Sequence, residues 1–320
     1  MSPSKRDESR DGVSLTNLDA ELFDGAGATK RDLVDYLDGV RTRILPQLED
    51  RPLSVIRVHR GSDAFMQKNV PKYTPDFVQT VSLWAEASKR EVSYALCNDR
   101  KTLLWFGNQR AIEYHPALVR MEDPAHITHL VLDLDPPEGD ESFRKAVLAA
   151  QLVRQALDEV GLAGAVKTSG AKGVHVFVPL DASASFDDVA TSARAIAARA
   201  AAIDPAVATT AFVKDEREGK VFVDSTRVGG ATVIAAYSPR VRPGVPVSFP
   251  VGWDDLGSVS PRGFTVHNAL ELLCDRDPWA EQMPAPQALP AELVEEGHAI
   301  PVARVQAMHE GKRRARAKRG

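Results

Sequence analysis

The chain has 320 residues, 43% hydrophobic and 26% charged, enough for one large core or two ordinary ones in the balance of a globular protein. Its net charge of −4 excludes a generic polyanion binder, so any nucleic-acid surface has to be a local patch. Only Cys97 and Cys274 are present, and there is no apolar leader or membrane-length apolar run, which excludes a disulfide framework, a Cys-rich zinc site and a membrane span and points to the cytoplasm.

Residues 1–13 are polar and aperiodic and read as a flexible arm, with order beginning near Ser14. Thr29 can cap a helix that carries Leu33, Tyr36, Leu37, Val40 and Ile44 on one face, with Pro46 near its end. Strands are predicted over Leu53 to His59, Val81 to Trp84, Glu91 to Cys97 and Ala111 to Tyr114, with a loop from Ala64 to Pro71 and a short helix near Thr102 to Phe106. A central strand at 128–135 is followed by a long helix from Ser142 to Val160 and a strand at Ala165 to Thr168. A turn at Ser169 to His175, a strand reaching Leu180 and an Ala-rich helix from Phe186 to Ile203 come next. Lys220 to Asp224 and Ala231 to Ala236 read as a hairpin pair, Pro239 to Pro250 as an extended stretch, and Val266 to Leu273 as the last regular helix. With no internal repeat and no long linker, we expect an α+β fold of mixed and antiparallel sheets flanked by helices. One catalytic domain with an N-terminal subregion should cover 14–277, followed over 278–320 by a Pro-rich segment and a basic tail from Lys312 to Arg319.

The chemistry centres on Leu130-Val-Leu-Asp-Leu-Asp-Pro-Pro137, a buried strand that two prolines must end. Side chains alternate along a strand, so Asp133 and Asp135 face one way and Leu132 and Leu134 the other. Two carboxylates held together on an apolar strand need a cation, and Mg²⁺ or Mn²⁺ takes such oxygens. A third acid is expected at Asp224, where Val221-Phe-Val-Asp224 again ends an apolar strand, while Asp215, Glu216 and Glu218 belong to a polar turn. Between these acids, Ser169-Gly-Ala-Lys-Gly-Val-His175 offers Gly170 and Gly173 for close approach of an anion, the charge of Lys172, and Ser169 and His175 as hydrogen-bond partners. It is not a P-loop, since Lys172 precedes Gly and a strand follows. Arg240 and Arg242, spaced by two on an extended segment, add guanidinium forks suited to phosphate oxygens. Each of these features has a plain structural reading by itself; together they are the parts of a nucleotidyl-transfer site.

The ordered set Asp-x-Asp, Ser-Gly-x-Lys-Gly-x-His, then a strand-borne Asp followed by Tyr-Ser-x-Arg, resembles the archaeo-eukaryotic primase superfamily, and within it the polymerase domain of bacterial ligase D, over roughly Ser14 to Asp277. The resemblance implies that Asp133, Asp135 and Asp224 hold two divalent ions, Mn²⁺ or Mg²⁺, and that Ser169, Lys172, His175, Arg240 and Arg242 embrace a nucleoside triphosphate. It further implies that His115 lies near the nucleotide sugar, that Phe65, beside Lys68, stacks on a template base, and that Asn17 and Lys30 grip the 5′-phosphate of a downstream strand. Two positions depart from the family pattern: Ala20 stands where Lys is usual, with Arg31, Lys5 and Arg6 as nearby cations, and Val228 stands where Asn is usual, in a loop one residue shorter. The expectation is a template-directed nucleotidyltransferase that fills short gaps or extends ends of broken double-stranded DNA in repair, with a separate ligase and end-binding proteins as partners. The alternatives are a haloacid-dehalogenase-like phosphatase, whose signature also begins with Asp-x-Asp but does not account for 169–175, and a non-catalytic DNA-end-binding scaffold.

Overall fold

The structure is a computed structural model and describes residues 8–59, 63–85, 89–228 and 232–301. The first seven residues of the expected arm and the basic tail from Lys312 to Arg319 lie outside the described residues. The arm is shorter than its polarity suggested: strands β1 (Glu8–Arg10) and β2 (Val13–Leu15) form a hairpin. Val13 and Leu15 are buried, and Arg10 pairs with Asp35 at 2.6 Å.

Helix α1 (Lys30–Leu48) starts as the sequence predicted, in a capping box where Thr29 and Asp32 satisfy each other's backbone amides. Its apolar stripe from Leu33 to Leu48 is buried. The first sheet follows: β3 (Leu53–Arg57), β4 (Phe65–Gln67), β5 (Thr80–Ala85), β6 (Arg90–Ala95) and, after helix α2 (Arg100–Asn108), β7 (Ala111–Pro116). They pair in the order β4-β3-β6-β5, with β7 also on β3. Phe65, expected in a loop, therefore lies on an edge strand.

The second sheet contains β8 (His129–Asp135), β9 (Ala165–Thr168), β10 (Val174–Pro179), β11 (Ala208–Thr209) and β12 (Val221–Asp224) in the order β11-β12-β8-β10-β9. Only β11 and β12 are parallel, so the sheet is mixed. Helices α3 (Ser142–Asp158) and α4 (Phe186–Ile203) pack on it. Leu130, Leu132 and Leu134 are fully buried, which leaves the face of Asp133 and Asp135 open.

The segment 232–251 laces the two sheets together and corrects the expected hairpin. Strand β12 pairs with β8 and β11, while Thr232 bridges to Ala117 beside β7, the Ala235 amide donates to Tyr114 O, and the Phe249 amide and carbonyl bond Thr168 on β9. Helix α5 (Ala269–Leu273) ends at the predicted Leu273, and the short helix α6 (Pro278–Gln282) and helix α7 (Ala291–Ala299) extend regular structure beyond it. Trp279 and Leu293 are buried in the core, so the Pro-rich segment up to residue 300 packs as part of the domain.

Candidate active site

The two sheets flank a cleft of about 470 Å³. Ten residues singled out in the sequence line it: Lys68, His115, Asp133, Asp135, Ser169, Lys172, Gly173, His175, Arg240 and Arg242. Its floor follows from strand register. Asp133 on β8 lies directly opposite Asp224 on β12 and His175 on β10, and His175 lies opposite Lys167 on β9. Cross-strand partners share a face, so Asp224, Asp133, His175 and Lys167 form one row across the sheet.

Two opposed, largely buried carboxylates require a counter-charge, and Arg227 supplies it. Its guanidinium lies 2.8 Å from Asp133 Oδ2 and 3.1 Å from Asp224 Oδ2. Asp224 also accepts at Oδ1 from the Thr226 amide and hydroxyl, at 2.8 and 2.6 Å. Burial would raise the Asp133 carboxyl, yet His175 Nε2 at 3.3 Å and Arg227 hold it well below the usual range. Asp135 turns towards Arg217 at 3.0 Å and Lys172 at 3.3 Å. Behind His175, Lys167 Nζ donates to Ser248 Oγ at 2.6 Å and lies 3.0 Å from His175 Nδ1, and full burial, with the Arg240 charge adding to it, holds the Lys167 amine well below the usual lysine range. Burial, with Lys167 adding to it, brings the His175 imidazole down to about 4.

The 169–173 turn is built differently from a free anion cradle. Ser169 Oγ accepts from the amides of Ala171 and Gly173, at 3.2 and 3.1 Å, so these two donors are spent inside the loop. The glycines have packing reasons. Gly170 has φ +69° and a Cβ there would sit 2.7 Å from Arg240 Cγ, while a Cβ at Gly173 would meet Leu134 O at 2.4 Å. Arg240 Nη1 donates to Ser169 O at 2.5 Å and Lys172 Nζ to Glu138 Oε1 at 2.8 Å.

On the opposite wall His115 Nε2 lies 2.9 Å from Glu113 Oε2, and Glu113 Oε1 lies 3.1 Å from Arg240 Nε and accepts from the Val241 amide at 2.9 Å. Phe65 does not line the cleft; it stacks on His59 with ring centroids 5.0 Å apart. Away from the cleft, the loop 16–20 wraps onto the start of α1 through Lys30 N to Ala20 O and Arg31 N to Leu18 O, which brings Asn17, Ala20 and Lys30 together. Lys30 Nζ donates to Thr16 O at 2.5 Å. Arg31 is engaged by Glu8 at 2.7 Å and Asp19 at 3.7 Å, while Lys5 and Arg6 lie outside the described residues. Val228 is half-buried, and residues 229–231 lie outside the described residues.

The family model for the LigD primase-polymerase domain matches residues 29–279. The chain belongs to the LigD primase-polymerase family. It is 33% identical over 268 residues to the bifunctional non-homologous end joining protein LigD of Bacillus subtilis, covering 82% of this chain and 42% of that protein. It is also 30% identical over 293 residues to the multifunctional LigD of Pseudomonas aeruginosa, covering 88% and 34%. The chain therefore spans about two fifths of the length of the Bacillus relative. Among solved structures, the polymerase domain of Mycobacterium tuberculosis ligase D in complex with DNA superposes with a TM-score of 0.77 at 30% identity, covering 85% of this chain and 97% of that one.

Membership in the LigD primase-polymerase family makes the chain a metal-dependent nucleotidyltransferase and sets the phosphatase alternative aside. Among the described residues no three of His, Cys, Asp and Glu converge as a ready-made ion cage, because Arg227 lies between two acids and Asp135 faces Lys172 and Arg217. The donors nonetheless fit a hard divalent ion: they are carboxylate oxygens on one sheet face, and the guanidinium between Asp133 and Asp224 occupies the place of a cation. No helix among the described residues is long and apolar enough to cross a membrane.

Four residues of the site were not picked out from the sequence: Glu113, Lys167, Arg217 and Arg227. Glu113 was accessible, since it stands two before His115 on a strand and shares its face. Lys167, a lysine among buried strand residues, was a weaker signal. Nothing local marks Arg217, whose acid partner Asp135 is 82 residues away in sequence, whereas Arg227 stands three residues after Asp224, a local signal, with its other partner Asp133 94 residues away.

Proposed function

We propose that this cleft performs template-directed nucleotidyl transfer, filling short gaps or extending DNA ends in non-homologous end joining. The observation that carries the reading is the directly opposed Asp133–Asp224 pair, already bridged by a cation, with Lys172, Arg240 and Arg242 on the same cleft. Asp133, Asp135 and Asp224 would hold Mn²⁺ or Mg²⁺, with Arg227 leaving their oxygens. Bound there, the two ions supply activation of the primer 3′-hydroxyl and neutralise the charge of the leaving pyrophosphate. Lys172, Arg240 and Arg242 meet the triphosphate as cations, Ser169 holds the turn that carries Lys172, and His175 donates towards Asp133. His115 reads the sugar from the other wall.

The 5′-phosphate of a downstream strand would sit against Asn17 and Lys30, and Phe65 with Lys68 would meet the template. DNA in complex with the Mycobacterium tuberculosis polymerase domain supports this partner class. Relatives that carry non-homologous end joining in their names support the pathway.

Primer extension on a gapped duplex with Mn²⁺ tests the reading. Single changes of Asp133, Asp135 or Asp224 to Ala should each abolish nearly all incorporation while the far-ultraviolet circular dichroism stays native, because groups that share ions act as one unit. Extension by Asp224→Ala near the wild-type rate would refute the three-acid site. DNA binding without extension by the wild type would favour a scaffold.

A further inference from the structure

Behind the cleft wall lies Glu113, a buried carboxylate with three polar contacts that the mechanism above leaves unused. It is 4% exposed and sits on β7 between two groups assigned to the nucleotide. One carboxylate oxygen, Oε2, meets His115 Nε2 at 2.9 Å; the other, Oε1, accepts from the Val241 amide at 2.9 Å and faces Arg240 Nε at 3.1 Å. Burial would raise its pKa, but the imidazole bond, the Arg240 charge and the Val241 amide outweigh it and bring the carboxyl down to about 2. Glu113 is therefore a carboxylate at neutral pH and can only accept hydrogen bonds.

That decides the chemistry of His115. Burial lowers the imidazole pKa despite its acidic neighbour, so the ring is neutral near neutral pH and carries one proton. Facing an oxygen that can only accept, that proton has to be on Nε2. Nδ1 is then an unprotonated acceptor. It makes no hydrogen bond to the described protein, and His115 lines the cleft.

We propose that Glu113 is a positioning residue that locks His115 in its Nε2–H tautomer, so that Nδ1 accepts a hydrogen bond from a hydroxyl of the nucleotide sugar, while the same carboxylate fixes Arg240 on the phosphate side. The assignment rests on the nucleotide reading of the cleft. One buried carboxylate thereby ties the sugar-reading and phosphate-reading groups into a single rigid unit, and a sugar hydroxyl, which can donate, fits Nδ1 where a bare acceptor does not.

Two measurements test it. Nitrogen-resolved NMR of the wild-type His115 ring near neutral pH needs no variant and should show Nε2–H with an unprotonated Nδ1; an Nδ1–H tautomer or an imidazolium overturns the proposal. Glu113→Gln keeps the volume but brings a donor that can face either neighbour. It should scramble the tautomer and raise the KM for ATP by about tenfold in primer extension, with kcat within about threefold of wild type. A purely structural role would lower stability or kcat without moving the tautomer, and that result also overturns the proposal. If His115→Ala and Lys172→Ala raise the KM and Glu113→Gln does not, the role of Glu113 is wrong and the nucleotide site stands. If none of the three changes it, the nucleotide site itself is wrong.

Discussion

Arg227 gives its charge to Asp133 and Asp224 at the oxygens that a metal ion would need, so ion and guanidinium compete. The side chain is 37% exposed, which screens the pair and keeps its worth near that of a surface ion pair. Arg227→Gln should therefore tighten Mn²⁺ binding by about three- to tenfold, a change of about 0.6 to 1.4 kcal/mol, and lower the melting temperature in chelator, where the two acids lose their counter-charge. A paramagnetic titration without DNA or nucleotide reads the first effect, and unchanged affinity would sink the competition. Asp135 keeps its own pair of cations, Lys172 and Arg217, so the loss of Arg227 leaves it in place.

At the scale of elements, close approach by glycine sets where segments meet. Gly173 lets β10 begin against Leu134 of β8, and Gly170 lets Arg240 and Ser248 close over the turn. The same device seats α7 on α4: a Cβ at Gly297 would lie 2.1 Å from Thr191 O, a backbone atom that cannot step aside. Gly297→Ala should lower unfolding stability by about 1 to 3 kcal/mol, the usual cost of overpacking, while primer extension by the folded fraction remains. Urea denaturation checks it, and an unchanged midpoint would show that α7 is a loosely docked appendage. Residues 278–300 read as a Pro-rich segment because α6 and α7 span only Pro278–Gln282 and Ala291–Ala299, too short for periodicity to declare itself, whereas Trp279 anchors the segment through Gln47 at 3.0 Å.

For the molecule as a whole, the basic character that DNA requires is local, in the cleft and at the start of α1, within a chain of net charge −4. The second of these places is pH-sensitive. Burial, with Arg110 adding to it, brings the Lys30 ammonium down to about 8. Below that pH Lys30 is charged and, in the proposed 5′-phosphate site, would grip an anion; above it the amine is neutral and that grip would be lost. The preference for 5′-phosphorylated over unphosphorylated gaps should thus be full near neutrality and fall as pH rises through about 8, measured by extension on the paired substrates. Ala20→Lys should enlarge the preference, since Arg31 is already held by Glu8 and Asp19. A preference that stays constant well above that pH would remove Lys30 from the site.

The sequence by itself determined what is local: that Asp133 and Asp135 share a face, that Pro136 and Pro137 end their strand, that Thr29 caps α1, and that the 169–175 turn and the Arg240 segment carry the charges lining the cleft. Period two and capping chemistry act over a few residues and can be read directly. Only the tertiary structure decided the row from Asp224 through Asp133 and His175 to Lys167, since a slip of one residue in the pairing of β12 or β10 with β8 would turn Asp224 or His175 to the opposite face. It also decided that segment 232–251 laces two sheets instead of pairing with β12. The counter-charges at Arg227 and Arg217 and the ion pair of Glu113 with Arg240 were settled the same way, because burial makes each acid find a cation and chain packing alone determines which cation is near.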